Sequence, residues 1–453
     1  MTSMKKLAVI GLDCADPALV FDRIRDDLPA LRGLLSQSEY GVLRSTVPPI
    51  TIPAWICMFT GRDPGELGLY GFEHRYGHGY KDTQLASSAL LRHPTAWDTL
   101  GEHGLNSIVI GVPMTYPPRP IRGALVTGIL TPDESSAYTY PPSLKKQVEA
   151  WVGPYLYDVP DFRLQDRSRL IADVRRMTEQ RFRLAAELAE KMPWDLLVVV
   201  EMGPDRMHHA FWADHDPTHP SHDPSSPFRS AIRDYYAFLD EQIQSFVDAV
   251  SPEADFLVVS DHGAQAMQGG FCVNEWLIER GDLVLRSVPE QPTGIGTLIR
   301  SNGVDWPRTR AWGTGGYCGR INLNVQGRQP NGALSARDAA SYLDDLTSAL
   351  EAIPFSHGSR RLDTHTFRPA ETYKEVVGYP ADLAVYFGDL AWRSIGSVGR
   401  GHLRCAENDT GPDHANHRPE GLYIRPAHGA PGQGPEQDIL CVQRWILEHF
   451  ELT

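Results

Sequence analysis

The residues able to do chemistry in this chain are one threonine and a dispersed set of carboxylates and imidazoles. Thr51 stands in STVPPITIPAW, followed by Ile52 and Pro53. Proline suits a first helical turn, where its missing N–H has no partner to lose. Ala54–Thr60 therefore reads as a helix starting at or just after Thr51 and ended by Gly61 and Pro64-Gly65. A hydroxyl at such a start faces unpaired N–H groups and the positive end of the dipole, which make an anion site. Taken alone, the same residue reads first as an ordinary threonine cap, the commoner use.

Four further groups accompany it. Asp13 ends the apolar run LAVIGL; Asp205 and His209 lie four apart in PDRMHHAFW; Asp261 and His262 are adjacent in SDHG; and His414 or His417, three residues apart, supplies a C-terminal imidazole. Each has a plainer use, as a cap, an exposed helical pair or a turn. Together they do not, because carboxylates gathered at one place disfavour each other's ionisation. Divalent cations remove that penalty. A mixed Asp/His set suits zinc, or manganese as the alternative, better than calcium or magnesium, which take all-oxygen shells. A second histidine group, His208, His215, His219 and His222, follows no helix or strand period and reads as a solvated loop rich in aspartate and proline.

The elements that must position these groups are buried strands alternating with amphipathic helices. Leu7–Leu12, Asn106–Val112, Asp195–Glu201 and Phe256–Ser260 are continuous apolar runs of the kind found in a parallel sheet covered on both faces. Helices are expected over Pro17–Ser36, Thr95–His103, Gln165–Met192, Phe228–Val250 and Gln437–Phe450. From Gly270 to about Arg400 the segments are shorter and alternate, as in RINLNV and DLAVYF, around a helix near Ser335–Leu350. The pattern predicts an α/β doubly wound, mostly parallel sheet with an inserted smaller mixed cap: residues 1–269 and 401–453 form the core and 270–400 the cap. In such sheets ligands bind beyond the carboxyl ends of the strands. Asp13, Asp205 and Asp261-His262 each fall at or just past one.

The totals narrow the partners. With 453 residues, 42% apolar and 22% charged, the composition is that of a globular protein, and a net charge of -14 disfavours a nucleic-acid polymer, which needs a basic face. Small anionic substrates remain compatible, since bound cations attract them locally. The six cysteines show no CxxC spacing, and the apolar run after Lys5-Lys6 is too short for a signal peptide or a membrane span. A cytoplasmic protein with no membrane partner is expected; its oligomeric state is not legible.

Taken together, GLDCAD, STVPPITIPAW with TGRDPGELG, PDRMHHAFW, SDHG and HRPEGLYI give the chain a resemblance to the alkaline phosphatase superfamily, in its type I phosphodiesterase/nucleotide pyrophosphatase-like branch. What the resemblance implies is a two-metal site. Asp13, Thr51, Asp261 and His262 would hold the ion beside the nucleophile, and Asp205, His209 and His417 the other. His417 is preferred to His414 for its HRPxG context. Thr51 would attack phosphorus and form a phosphothreonine that water then hydrolyses, two in-line displacements in all. The implied activity is hydrolysis of phosphodiester or pyrophosphate bonds in a small phosphorylated molecule. A phosphomonoesterase or phosphomutase of the same superfamily is the alternative, and a catalytically silent binding protein is a third. The chain departs from the branch at Ile52, where nucleotide pyrophosphatases often stack a base on an aromatic ring, at Phe72, near a usual asparagine, and at Leu67, in place of a histidine. Phe72, Ile52 and Tyr116 are the expected substrate contacts.

Overall fold

The apolar runs become neighbours in one ten-stranded sheet. Its order is Gly432–Gln433, Ser38–Arg44, Glu420–Pro426, Ala254–Val259, Lys6–Leu12, Leu196–Glu201, Ser107–Ile110, Gly123–Val126 and Thr139–Tyr140, with Gln437–Asp438 also pairing to Ser38–Arg44. The five strands from Ala254–Val259 to Gly123–Val126 are parallel to one another. Glu420–Pro426 runs antiparallel to both its neighbours. The computed structural model describes residues 5–452 apart from 161, 164, 165 and 428.

Side chains along the central strands alternate between two apolar clusters, as a pleat requires. Ala8, Ile10 and Leu12 enter one, beneath helices Arg167–Lys191 and Ala231–Val250. Leu7 and Val9 enter the other, beneath Ala96–Glu102 and Cys441–His449. The sheet is thus covered on both faces, the doubly wound arrangement that the continuous apolar runs predict.

Helix Thr51–Thr60 is buried along its whole length and divides its side chains between these clusters, Ile52 and Ile56 in one, Trp55 and Phe59 in the other. Ten residues form no stable helix alone. Burial of each large apolar side chain, at about 1.5–3 kcal/mol, holds this one rigidly. It ends at Gly61, whose φ of 61° lies in the left-handed region.

A third apolar cluster gathers residues from Phe271 to Val398. Around it stand a four-stranded antiparallel sheet, ordered Ala311–Thr314, Gly319–Leu323, Leu383–Tyr386 and His365–Phe367, and helix Ala339–Glu351. A hairpin that follows the Thr51 helix, Glu73–Arg75 with Thr83–Leu85, reaches this region. There Tyr80 stacks on Trp306 at 3.6 Å and Arg75 donates to Asn322 at 2.9 Å.

Two expectations change. Pro17–Ser36 is not one helix but a π turn over Leu19–Arg23, a 3-10 turn over Arg25–Asp27 and helix Pro29–Leu35. The ring of Pro29 bars helical conformation at Leu28, which takes φ −118° and ψ 71°. The expected helix over Gln165–Met192 appears as Arg167–Lys191, Gln165 lying outside the described residues. Among the described residues no helix is long and apolar enough to cross a membrane.

Candidate active site

Three adjacent parallel strands end at the site. Lys6–Leu12 delivers Asp13, Ala254–Val259 delivers Asp261 and His262, and Leu196–Glu201 leads into helix Gly203–His215 with Asp205 and His209. The registers pair Leu12 with Glu201 and Gly11 with Val259, so the strands finish at one level. His417 comes from Ala415–Arg418, whose antiparallel pairing with Gly263–Ala266 sets it opposite Ala264. Its ring stacks on His262 with centroids 3.7 Å apart.

Two buried groups result. Asp13, Asp261 and His262 offer ligand atoms within 4.8 Å of one another, as do Asp205, His262 and His417. His209 Nε2 lies 3.2 Å from Asp205 Oδ1 and 3.3 Å from His417 Nε2, beside the second group. Thr51 Oγ1 lies 3.4 Å from His262 Nε2. Thr51 is the first residue of its helix, with Ile50 as the N-cap and no side-chain capping bond. Its hydroxyl is therefore not used as a cap.

The donor set fits divalent cations. Among the described residues Asp13 Oδ1, Asp205 Oδ1 and Asp261 Oδ2 are buried with no partner in hydrogen-bond geometry, Asp205 Oδ1 and Asp261 Oδ2 facing the His209 and His262 ring nitrogens of the same site at 3.2 Å, while the other oxygens are taken. Asp13 Oδ2 accepts from Trp55 Nε1 at 2.6 Å, Asp261 Oδ1 from the Cys14 N–H at 3.1 Å, and Asp205 Oδ2 from Arg206. Each carboxylate thus keeps one oxygen for a ligand, an expensive arrangement unless something occupies it. Cys14 takes a φ of 63° to turn its N–H onto Asp261, backbone strain of about 1–3 kcal/mol held beside the site.

The electrostatics agree. Burial and the Asp205 charge push Asp13 well above the usual carboxylate range, and burial and Asp13 do the same to Asp261. Burial acts upward on Asp205 too, but His209 and Arg206 outweigh it and hold Asp205 well below that range. Burial, with the neighbouring His417, keeps His262 neutral, and burial also lowers His417. For His209 burial is outweighed by Asp413, Tyr317 and Asp205, which raise it to about 10.

Four supporting residues escape the sequence reading. Asp413 accepts from His209 Nδ1 at 2.6 Å and pairs with Arg163 at 3.0 Å and Arg393 at 2.6 Å. Arg206 bridges Asp205 to Asp158. Tyr317 stacks on His417 at 3.7 Å. Trp55, which its apolar helix marks as core packing, also orients Asp13, and a Cβ at Gly11 would fall 2.5 Å from its ring. Only Arg206 had a local signal, its place in the PDR triplet. The others depend on contacts between distant segments.

Trp55→Phe is expected to keep the packing and remove the N–H. Metal affinity should fall about 10-fold, within the range for lost outer partners, as read by competition with a chromophoric chelator. Unchanged affinity would show that Asp13 needs no such support.

The remaining residues fall into place or out of it. His414 Nδ1 donates to the Ala210 carbonyl at 3.0 Å, and the residue belongs to neither ligand group. The group His208, His215, His219 and His222 is not a solvated loop. His208 is buried against Tyr236 and Trp212, His215 closes the helix, His219 is buried near His414, and His222 meets the Ala213 carbonyl. None of the four belongs to either ligand group.

A cleft of about 340 Å³ opens beside the site, lined by Ile50, Phe72, Arg206, Tyr317, Arg320 and Arg393 among others. Phe72 is half-buried in its wall. Ile52 is not: it points into the core beneath the helix and is fully buried, whereas Ile50 lines the cleft. Ile50 precedes the helix in extended conformation while Ile52 lies within its first turn, so the two side chains take different sides. Tyr116 also stands apart, in a loop whose carbonyl accepts the Ser88 N–H, and does not line the cleft.

A parallel sheet covered on both faces, with a threonine-led helix and Asp/His groups at its carboxyl rim, defines the alkaline phosphatase-like class of hydrolases. Within it, residues 7–390 match the model of the type I phosphodiesterase / nucleotide pyrophosphatase family, and the chain belongs to that family. It is an enzyme of the phosphohydrolase kind. No match is found among curated proteins. Among solved structures the chain is similar to phosphonoacetate hydrolase from Sinorhizobium meliloti 1021 in complex with phosphonoacetate, with TM-score 0.63, 14% identity, and 98% of this chain and 96% of that one covered. It is also similar to an inactive threonine-to-alanine variant of murine ectonucleotide pyrophosphatase / phosphodiesterase 5 in complex with AMP, with TM-score 0.54, 11% identity, and 99% and 96% covered. At these identities the likeness speaks to the fold.

Proposed function

We propose that the chain is a two-metal hydrolase of phosphodiester or pyrophosphate bonds in a small molecule, acting through a phosphothreonine on Thr51. The observation that carries this is the convergence of an uncapped Thr51 hydroxyl with two buried ligand groups whose three carboxylates each keep one unpartnered oxygen. Asp13, Thr51, Asp261 and His262 would hold one ion, and Asp205, His209 and His417 the other. The mixed nitrogen and oxygen donors favour zinc, with manganese as the alternative. Bound there, such ions supply Lewis acidity, easing loss of the threonine proton and offsetting charge on the phosphoryl oxygens.

The chain's own residues do the rest. The buried helix fixes Thr51 against the reacting phosphorus, and its first N–H groups, free of intrahelical partners, suit the phosphoryl oxygens. The Thr51 oxygen forms its bond to phosphorus as the bond to the leaving oxygen breaks. Water then displaces Thr51 from phosphorus and restores the hydroxyl. The inactive threonine-to-alanine variant of the ectonucleotide relative supports the nucleophile assignment. The separate apolar cluster from Phe271 to Val398 supports a cap over 270–400 on a core of 1–269 and 401–453. We place the enzyme in the cytoplasm, a reading that rests on its six free thiols and its composition. The substrate is small, as the cleft volume suggests.

Hydrolysis of bis(4-nitrophenyl) phosphate, with and without chelator, tests the proposal. No release of nitrophenolate by the metal-loaded protein would sink it. For the cleft, Phe72→Ala should raise KM for this aryl diester about 10-fold and lower kcat less, the pattern of lost uniform binding worth about 1–3 kcal/mol per stacked ring. An unchanged KM would remove Phe72 from the substrate contacts.

A further inference from the structure

The cleft beside the ligand groups carries four arginines, and three of them are committed. Arg206 forms a two-pronged pair with Asp158 at 2.8 Å for each bond and also holds Asp205. Arg163 reaches Asp413 at 3.0 Å and the Tyr317 hydroxyl at 3.2 Å. Arg393 reaches Asp413 at 2.6 Å. These three are tied by hydrogen bonds to carboxylates that build the site.

Arg320 differs. It lines the same cleft from strand Gly319–Leu323, three residues after the Tyr317 that stacks on His417. Among the described residues its side chain has no carboxylate partner, and the guanidinium's one hydrogen bond is a long one of 3.4 Å from Nη2 to the Gly315 carbonyl. Glu73, the other carboxylate lining the cleft besides Asp158, makes no ion pair with it. The guanidinium packs close against Gly71, where a Cβ would fall 2.9 Å from Nη1. A half-buried guanidinium facing a cleft without a counter-ion is a group prepared for an anion. In the proposed reading the bound ions and the first-turn N–H groups would answer the charge of the reacting phosphoryl group, which leaves Arg320 for a second anion.

We propose that Arg320 recognises a second oxyanion of the substrate, a carboxylate or a phosphate, on the part that extends from the reacting phosphorus into the cleft. The inference rests on phosphoryl chemistry at Thr51 and gives substrates with a second anionic group an advantage in binding, without making that group a condition of cleavage. A neutral or purely aromatic substituent would leave Arg320 unanswered. Arg320 is thus a specificity residue, carried by the region over 270–400 and set against the loop that follows the Thr51 helix.

Calorimetric binding to the metal-loaded Thr51→Ala protein tests this without turnover. Ethylphosphonate serves as the ligand with one anionic group; phosphonoacetate and 3-phosphonopropionate form the carboxylate arm, and methylenediphosphonate the phosphate arm. At least one arm should bind about tenfold or more tightly than ethylphosphonate, the scale of one charge-assisted pair, and the tighter arm names the anion. Arg320→Gln should erase that advantage and leave ethylphosphonate affinity within about twofold. If the glutamine protein does not fold, Arg320→Lys carries the test. There the advantage must fall at least about threefold, because lysine lacks the paired N–H geometry. The proposal is overturned if no arm beats ethylphosphonate, if the advantage survives the substitution, or if all ligands weaken equally. Failure of the wild-type protein to cleave bis(4-nitrophenyl) phosphate would instead overturn the hydrolase reading, so the two fail separately.

Discussion

Replacing Thr51 by alanine is expected to lower diester hydrolysis by ~10⁴-fold or more, the scale at which loss of a covalent nucleophile is felt. Fold and metal content should stay close to wild type. The side chain lost is small, the helix has Ile50 rather than Thr51 as its N-cap, and its packing comes from Ile52, Trp55, Ile56 and Phe59. Asp13, Asp261 and His262 remain to hold the neighbouring ion. Thr51→Ser should retain part of the activity, since it keeps the hydroxyl and loses only the methyl group that restricts its rotamer. Quenching wild-type reactions with a slow substrate should trap phosphate on Thr51. Near-normal rates in the alanine enzyme would refute covalent catalysis.

Removing the metals should have an effect of similar size. The purified protein is expected to carry about two equivalents of divalent ion, and chelation should stop hydrolysis reversibly. His417→Ala should lose about one equivalent, because His417 Nε2 lies 3.6 Å from Asp205 Oδ1 within one ligand group. His414→Ala should lose none, as its ring is engaged with the Ala210 carbonyl instead. The reverse result would exchange the two assignments.

Chelation should also lower Tm, and more so at pH 8 than at pH 6. Asp13 and Asp261 have folded-state pKa values above their unfolded ones, so without cations their contribution is fully present only at low pH and is lost as pH rises toward the folded values. Cations reverse the trend by binding the ionised forms, and the proton on His209, held up to about 10, competes with them less as pH rises. Ligation at 1,000 times Kd is worth about 4 kcal/mol, a shift of several degrees. A chelation effect that shrinks with rising pH would contradict these signs.

The carboxylates and imidazoles that the structure gathers at the strand rim are ones the sequence marks, because their signals are local. Asp13 follows an apolar run, Asp205 and His209 share a helix face, and Asp261-His262 closes another run. A run buried on both faces of a parallel sheet ends at a predictable rim, so these groups could be placed together before any coordinates. The proline after Ile52 likewise announced the helix that Thr51 begins.

What only the tertiary structure decided are relations between segments far apart in the chain. That Asp413 orients His209 across 204 positions is set by how Ala415–Arg418 pairs with Gly263–Ala266. No local pattern encodes that pairing. Ile52 is expected in the cleft from its place in the family's motif, which names a position but not the face its side chain takes; packing turns it to the core and gives the cleft to Ile50. Pro17–Ser36 was misread because its apolar spacing is helical while Pro29 forbids a continuous helix. Arg320 was invisible for the same reason that Trp55 looked like mere packing. A charge or an indole is informative only through what stands, or fails to stand, within hydrogen-bond reach of it.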